Sequence, residues 1–163
     1  MAHLALFQPD IPQNTGTILR LCACMGVGAD VIEPCGFPFS DRHLRRAGMD
    51  YVDQVRLTRH ADYAHFQSTM AGEHRRIVLL TTKATQPYTG FVFEPCDVLL
   101  LGRESAGVPE DVHKSVDARV TIPMAAGLRS LNVAVAAAMV LGEMLRQTGA
   151  FPQGIVDLKE ERE

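Results

Sequence analysis

Three short segments of this chain place polar side chains and glycines where an apolar stretch begins or ends. They are residues 11–20, 101–110 and 122–132. Loops at the ends of buried elements are where rigid scaffolds usually form ligand sites. In the second segment, Glu104 could hold a loop amide, contact a ligand amine or accept a proton, and capping the following turn is the simpler alternative. The three segments together favour an enzyme.

Glycines and apolar side chains in the same segments suit a bound ligand. Gly102 and Gly107 would let the backbone approach a ligand closely, although a plain strand-to-helix turn explains either glycine alone. Five residues could form an apolar slot: Leu80, Leu101, Ile122, Pro123 and Leu131. The segments therefore predict one site with both polar and apolar walls.

Composition limits the class of protein. The chain has 163 residues, 47% apolar and 21% charged, which suits a single globular domain. We assign residues 1–150 to that domain and 151–163 to a charged C-terminal tail. The net charge of -3 carries no general nucleic-acid signature, so any RNA must bind to a local basic face.

The chain shows no sign of export, membrane insertion or metal binding. It has no apolar stretch of the roughly 18 residues that a membrane span needs, and its start lacks a secretory pattern. The spacing of the histidines and cysteines matches no zinc signature. We expect a cytoplasmic protein without metal, with four reduced thiols: Cys22, Cys24, Cys35 and Cys96.

Strand and helix patterns alternate along the chain. Strands are predicted at residues 3–8, 29–33, 55–57, 77–81, 98–101 and 120–122. Helices are predicted to begin at Asn14, Ser40, Asp62, Val108 and Ser130, with the first ending before Gly26 or Gly28 and the last near Gln147. This order predicts an α/β domain, with a mostly parallel sheet flanked by helices and a ligand site at the carboxyl ends of the strands.

Two helices have informative faces. In the first, the predicted core face is Ile18, Leu21, Cys22 and Met25, and the other face is Gly16, Thr17, Arg20 and Cys24. The last helix is apolar nearly all round from Val133 to Gly142, with Ala134, Ala138 and Gly142 at every fourth position. Its second apolar side is covered either by a homodimer partner or by a crowded monomer core.

The three segments, in this order, resemble motifs of the SPOUT RNA methyltransferases. Residues 102–109 and 122–132 resemble the second and third motifs, and residues 14–20 resemble the first motif of the TrmH-like branch, which methylates ribose 2′-hydroxyls. Within that branch the chain is most similar to short members that modify the wobble cytidine or uridine of tRNA. That likeness rests on residues 9–16, 44–51 and 81–83, and the whole resemblance spans about residues 2–150.

The resemblance implies more than patterning alone could indicate. It implies a C-terminal trefoil knot, which topology rules by themselves would predict against. It also implies S-adenosylmethionine as the cofactor, a homodimer, and the anticodon stem-loop of tRNA as the partner, with no membrane or DNA involved. The cofactor positions that it implies are Leu80, Gly102, Ile122, Ser130 and Leu131.

The catalytic residues that the resemblance implies are Arg20, Asn14, Glu104, Ser130 and Asn132. Arg20 would activate the 2′-hydroxyl, yet a guanidinium is a poor base because it hardly ever loses its proton. We therefore predict that Arg20 holds the adjacent phosphate and stabilises the developing alkoxide, while phosphate or water takes the proton. Asn14, Ser130 and Asn132 could each contact ligand or simply cap a helix.

Basic residues are candidates for holding RNA phosphates. Arg42, Arg45 and Arg46 would lie on one side of a short helix, with Arg129 and Lys83 as further candidates. A solvated charged face is the commoner explanation of such a cluster.

The motifs do not separate the leading function from the first of three alternatives, and they argue against the other two. A 2′-O-methyltransferase acting on ribosomal RNA or at another tRNA position would use the same motifs. A non-catalytic RNA- or nucleotide-binding protein would not need Arg20, Glu104, Ser130 and Asn132. A nicotinamide-dependent oxidoreductase is excluded, because Gly26-Val-Gly28 follows a helix and lacks the third glycine of the fingerprint.

Overall fold

The computed structural model of the protein describes residues 1–39 and 54–154, which form one parallel sheet with helices on both faces. The strands are β1 (His3–Phe7), β2 (Gly28–Ile32), β3 (Leu57–His60), β4 (Ile77–Leu80), β5 (Val98–Leu101) and β6 (Ala118–Val120). The helices are α1 (Pro12–Met25), α2 (Tyr63–Gly72), α3 (Glu110–Ser115) and α4 (Val133–Thr148), with a 3-10 turn at Tyr88–Gly90. The predicted α/β class is confirmed.

The strand order places the switch of direction at the centre of the sheet. The order is β3-β2-β1-β5-β4-β6, and every pairing in it is parallel. Leu6 of β1 lies opposite Val31 of β2 on one side and Leu101 of β5 on the other. The chain therefore leaves β1 and β5 at the same edge, which is where open parallel sheets form ligand crevices.

The sheet is buried on both faces, as its apolar strands predict. Leu4 and Leu6 of β1 face a cluster that includes residues of α1 and α4, whereas Ala5 and Phe7 face a cluster that includes residues of α2. Apolar side chains thus cover both sides of β1, and this fixes the strand ends that carry the site.

Helix α1 begins differently from the prediction. Pro12 is its first residue and Ile11 precedes it, so Asn14 lies inside the first turn and is not the N-cap. Proline suits the first helical position because it has no backbone N–H to leave unpaired. Gly26, with a φ of 63°, ends the helix as predicted.

The buried face of α1 corrects part of the predicted pattern. Its buried residues are Thr15, Gly16, Ile18, Leu19 and Cys22, so the assignment of Gly16 to the outer face was wrong and Leu19 was missed. Leu21 and Met25 are only half-buried, whereas Arg20 is exposed and off the core, as predicted. Thr15 and Gly16 are buried although neither has a large apolar side chain, so the hydrophobic pattern could not predict their burial.

Helix α4 is capped by Asn132, and the prediction of Ser130 as its cap was wrong. The Asn132 Oδ1 accepts hydrogen bonds from the amides of Ala134 (2.8 Å) and Val135 (3.3 Å). One face of the helix packs into the core, while Val135 is 51% exposed and Met139 is 39% exposed on another side. The second apolar side is therefore not covered by the described part of this chain.

Other boundaries show where weak patterns misled the prediction. β3 starts at Leu57 and β6 ends at Val120, so the strands predicted at 55–57 and 120–122 were misplaced. Both are short edge strands whose position is set by pairing to β2 and β4. Asp62 caps α2 as predicted, because its Oδ1 accepts from the His65 amide at 2.8 Å. The helix predicted from Ser40 lies outside the described residues.

One buried polar cluster ties the first three strands together. The carboxylate of Asp30 is hydrogen-bonded to His3 Nδ1 at 2.7 Å and to His60 Nε2 at 2.8 Å. Both histidines are buried, so they belong to the core. None of the helices in the described ranges is long and apolar enough to cross a membrane.

Candidate active site

A cavity of about 610 Å³ lies beyond the carboxyl ends of β4, β5 and β6. Its walls come mainly from residues 79–83, 101–108 and 129–133, with Ile122 and Asn14 among the other lining residues. Its volume is within the range of roughly 300–1,000 Å³ that small-molecule sites occupy. The three segments singled out in the sequence therefore meet at one cavity.

Nearly all the predicted site residues that can be placed line this cavity. The five cofactor candidates do so: Leu80, Gly102, Ile122, Ser130 and Leu131. So do three further catalytic candidates, Asn14, Glu104 and Asn132, and two of the RNA candidates, Lys83 and Arg129.

Four predicted residues are not placed at the cavity. Arg20 is exposed on α1 and is not one of the described residues that line the cavity. Arg42, Arg45 and Arg46 lie outside the described residues. Among the described candidates, only Arg20 is therefore away from the residues that line the cavity.

A chain of hydrogen bonds joins the three segments. The Glu104 carboxylate accepts from the Asp10 amide at 2.8 Å and from Asn14 Nδ2 at 3.3 Å. Asn14 Oδ1 in turn accepts from Asn132 Nδ2 at 2.9 Å. Because a carboxylate oxygen accepts and an amide nitrogen donates, these partners fix which way both amides face. Asn132 is left with its Oδ1 toward α4, which it caps.

This network shows what the Glu104 carboxylate contacts within the protein. Its carboxylate holds the amide of Asp10, in the loop that follows β1, instead of capping the turn that follows it in sequence. The Asn14 side chain likewise contacts the side chains of Glu104 and Asn132 and does not cap α1. The polar wall of the cavity is therefore built from contacts between segments about 90 residues apart.

The loop from Gly102 to Gly107 closes on itself. The Arg103 amide donates to the Gly107 carbonyl at 2.9 Å, and the Gly107 amide donates to the Arg103 carbonyl at 2.8 Å. A Cβ added at Gly102 would lie 2.8 Å from backbone atoms of Gly107, and Gly107 has a φ of +66°. Gly102 thus admits the protein's own backbone, and it also lines the cavity.

Asp10 is the residue that sequence reasoning missed. Its carboxylate accepts from Arg103 Nη2 at 2.6 Å and Nε at 3.2 Å, and from the Ser105 amide at 3.2 Å. The Arg103 guanidinium and then Ser105 lower the pKa of Asp10 to about 2, so the carboxylate stays ionised. In the sequence, Asp10 has only the signal of a turn residue beside Pro9, and nothing there connects it with Arg103.

No group of three or more histidines, cysteines, aspartates and glutamates in residues 1–39 and 54–154 is arranged to hold a metal ion. All four cysteines lie in this part of the chain and are free. Burial raises the pKa of the Cys22 thiol to about 12 and that of Cys35 to about 11.

The parallel sheet and the convergence of the three motifs on a cavity at its strand ends are features of the SPOUT class of RNA methyltransferases. The chain belongs to the SpoU rRNA methylase family, whose sequence model matches residues 1–142.

Three relatives show how far this similarity extends. A protein of Beijerinckia indica named tRNA (cytidine(34)-2′-O)-methyltransferase is 69% identical over 148 residues, covering 91% of this chain and 92% of that protein. A solved structure described as giving structural insights into the 2-OH methylation of C/U34 on tRNA has a TM-score of 0.84 and 37% identity. The match covers 90% of this chain and 95% of that one. The AdoMet-bound rRNA methyltransferase of Sinorhizobium meliloti has a TM-score of 0.80 and 28% identity, covering 89% of this chain and 56% of its own.

Proposed function

We propose that this chain is an enzyme that transfers a methyl group from S-adenosylmethionine to the ribose 2′-hydroxyl of the wobble cytidine or uridine of tRNA. The observation that carries the proposal is the 69% identity, over 91% of the chain, to a protein named tRNA (cytidine(34)-2′-O)-methyltransferase. The cavity at the strand ends is the proposed site of the cofactor. The predicted trefoil knot remains a proposal from family resemblance.

The lining of the cavity fits S-adenosylmethionine. Leu80, Ile122 and Leu131 offer apolar surface for the adenine, while Ser130 and the backbone of the Gly102 loop offer polar groups. When bound, the cofactor supplies a methyl group that is activated by a neighbouring sulfonium charge. The chain then has to orient the nucleotide, because positioning accounts for much of the rate of such a displacement.

The hydrogen-bonded amides are suited to orienting the ribose. Asn14 and Asn132 are held against Glu104 and against the first turn of α4, so they do not have to become ordered when substrate arrives. We assign Glu104 the task of fixing Asn14, and we assign Asn14 and Ser130 contacts with ligand. A group that is already oriented stabilises a transition state without reorganisation.

Arg20 is proposed to hold the phosphate beside the reacting ribose. It is exposed on α1, on the same side as Thr17, and a guanidinium can bind a phosphate through two parallel hydrogen bonds. It would stabilise the alkoxide as the 2′-hydroxyl loses its proton to phosphate or water. Lys83 and Arg129, at the cavity wall, are proposed to attract neighbouring phosphates, as are Arg42, Arg45 and Arg46.

A homodimer is proposed from the uncovered side of α4. Val135 and Met139 are exposed there, and the small Ala138 and Gly142 on the same side would allow a second helix to approach closely. Helix α1, which carries Arg20, packs against α4. The four free thiols fit a reducing compartment, and we propose a cytoplasmic location.

The substrate is tested by methyl transfer to tRNA. Purified protein is incubated with labelled S-adenosylmethionine and with bulk tRNA from a strain that lacks its gene, and the product is mapped by nuclease digestion and mass spectrometry. A 2′-O-methyl group on nucleotide 34 is the expected result. Methylation at another tRNA position, or of ribosomal RNA alone, would refute the substrate, and a protein that binds no cofactor would refute the reaction.

The role of Arg20 is tested by replacing its fork of donors with a single ammonium. Arg20→Lys should lower the single-turnover rate roughly 10- to 100-fold, since lysine cannot bind phosphate through two parallel hydrogen bonds. Arg75→Lys is a matched control, because Arg75 pairs with Glu73 near the amino ends of the strands. Near-normal turnover by Arg20→Lys would contradict the proposed geometry.

The dimer is tested at Met139. Met139→Glu would place a charge on the proposed interface and should convert a dimer to a monomer in size-exclusion chromatography with light scattering. Val92→Glu is the control, because Val92 is 77% exposed in the loop before β5 and lies outside the proposed interface. A wild-type protein that runs as a monomer would rule the interface out.

A further inference from the structure

We propose that Asp10 is a positioning residue that holds the Gly102–Gly107 loop and, through it, the carboxylate of Glu104 in the orientation that the reaction needs. This inference rests on the proposed methyl transfer and adds a residue to it. Asp10 follows β1, whereas the loop follows β5, and the two strands are paired in parallel.

The contacts of Asp10 reach three consecutive residues of the loop. Its carboxylate binds the Arg103 side chain, with Nη2 at 2.6 Å, and the Ser105 amide at 3.2 Å. Its backbone amide donates to Glu104 Oε2 at 2.8 Å. Asp10 therefore binds Glu104 directly and also binds the residues on either side of it, Arg103 and Ser105. These contacts limit the rotation of the Glu104 carboxylate.

The backbone before Asp10 is shaped for this contact. Gln8 has a φ of 43°, in the left-handed region that residues other than glycine rarely adopt. Its amide remains bonded to the Ile32 carbonyl at 2.9 Å, and its side-chain Oε1 lies 3.4 Å from Arg103 Nη1. An unusual conformation held by several contacts turns the chain between β1 and α1, where Asp10 meets the loop.

The far side of Glu104 explains why its orientation matters. Its other oxygen accepts from Asn14, which in turn accepts from Asn132 at the start of α4. A Glu104 carboxylate that rotated would release Asn14 from its only negatively charged partner in this chain of bonds. Asp10 is not among the described residues that line the cavity. It thus acts on the side-chain amides of Asn14 and Asn132 through Glu104.

The test is a double-mutant cycle between Asp10→Asn and Glu104→Gln. Single-turnover transfer to tRNA is measured at saturating cofactor, together with the melting temperature. Asp10→Asn should slow transfer about tenfold or more, because displacement of a positioned group by about 1 Å can cost a hundredfold. If Asp10 works through Glu104, the double variant should be no more than about twofold slower than Glu104→Gln alone.

A matched control separates positioning from general stability. Asp97 forms a comparable pair with Arg76, at 2.8 Å to Nε and 2.7 Å to Nη2, near the amino ends of the strands. Asp97→Asn should lower the melting temperature and leave the transfer rate of the folded protein unchanged. Arg103→Gln, which breaks the Asp10 pair from the other side, should reproduce the slowing by Asp10→Asn.

Distinct results would overturn the positioning role and the proposed function. Effects of Asp10→Asn and Glu104→Gln that multiply, or a wild-type rate in Asp10→Asn, would overturn the positioning role alone. If the wild type methylates no RNA, the proposed function fails, and binding of S-adenosylhomocysteine becomes the readout. If Asp10→Asn then weakens this binding about fivefold and Asp97→Asn does not weaken it, the result would support a loop held by Asp10. Equal affinity of the two variants would overturn that role.

Discussion

Gly102→Ala tests whether the cavity wall is preformed. The added Cβ would lie 2.8 Å from the Cα and the carbonyl carbon of Gly107, whereas nonbonded carbons rest at about 3.5–4.0 Å. The opposing atoms are backbone, and the hydrogen bonds between Arg103 and Gly107 hold them in place. The loop must therefore open by roughly 0.7 Å or more, and overpacking of this kind costs about 1–3 kcal/mol.

That free energy converts into an expected loss of cofactor binding. If the loop opens in the free protein and must close around the cofactor, about 1–3 kcal/mol weakens binding roughly 5- to 140-fold. Isothermal titration with S-adenosylhomocysteine measures the affinity, and thermal denaturation measures the stability.

A second glycine provides the control for this substitution. Gly72 ends α2, and a Cβ added there meets nothing within 4 Å. Gly72→Ala should bind as the wild type does and be equally or slightly more stable, by up to about 1 kcal/mol. Wild-type affinity together with a wild-type melting temperature in Gly102→Ala would refute a preformed loop.

Three further predictions follow from the contacts of single residues. Asn132→Ala should cost about 1 kcal/mol in urea denaturation by removing the cap of α4, whereas Asn132→Asp should keep the cap, lose the donor to Asn14, and slow methyl transfer at near-normal stability. The pKa of Asp10 is lowered from 3.8 to about 2, so the stability that Asp10 contributes is complete above about pH 4 and is lost as the pH falls towards 2; the difference in urea midpoint between wild type and Asp10→Asn should shrink over that range. With a maleimide at pH 8, mass spectrometry should find Cys24 labelled in the native protein and Cys22 labelled only after unfolding, because burial raises the pKa of Cys22 to about 12.

The sequence was most informative where one physical effect dominates. The apolar runs of β4 and β5 predict strands buried on both faces, and they are found there with ends shifted by at most one residue. Asp62 precedes a helix that buries Phe66 and Met70, and its role as the N-cap was predicted correctly. The motif residues of the cavity were identified because the family resemblance covers three separate segments.

Predictions failed where several residues of one type compete or where the partner is remote. Ser130 and Asn132 are both good caps two residues apart, and Asn132, the actual cap, also contacts Asn14 of the remote α1. The pairing of Asp10 with Arg103 requires β1 and β5 to be neighbours, although 93 residues separate the pair. Local patterns carry no information about such a contact, since it follows from the strand order.

Each polar motif residue could cap a helix or serve the site, and the relation between these two roles differs from one residue to the next. For Asn132 they coincide, because one side chain caps α4 with its oxygen and holds Asn14 with its nitrogen. For Ser130 the capping interpretation was wrong, since the cap lies two residues further on, and Ser130 lies at the cavity wall. Asn132→Ala disturbs the helix and the site together, and only Asn132→Asp separates them, whereas a substitution at Ser130 reports on the site without removing the cap. The same logic distinguishes Asp10, whose bonds all lead into the loop that carries Glu104, from the similar ion pair of Asp97, whose bonds lead only into the scaffold.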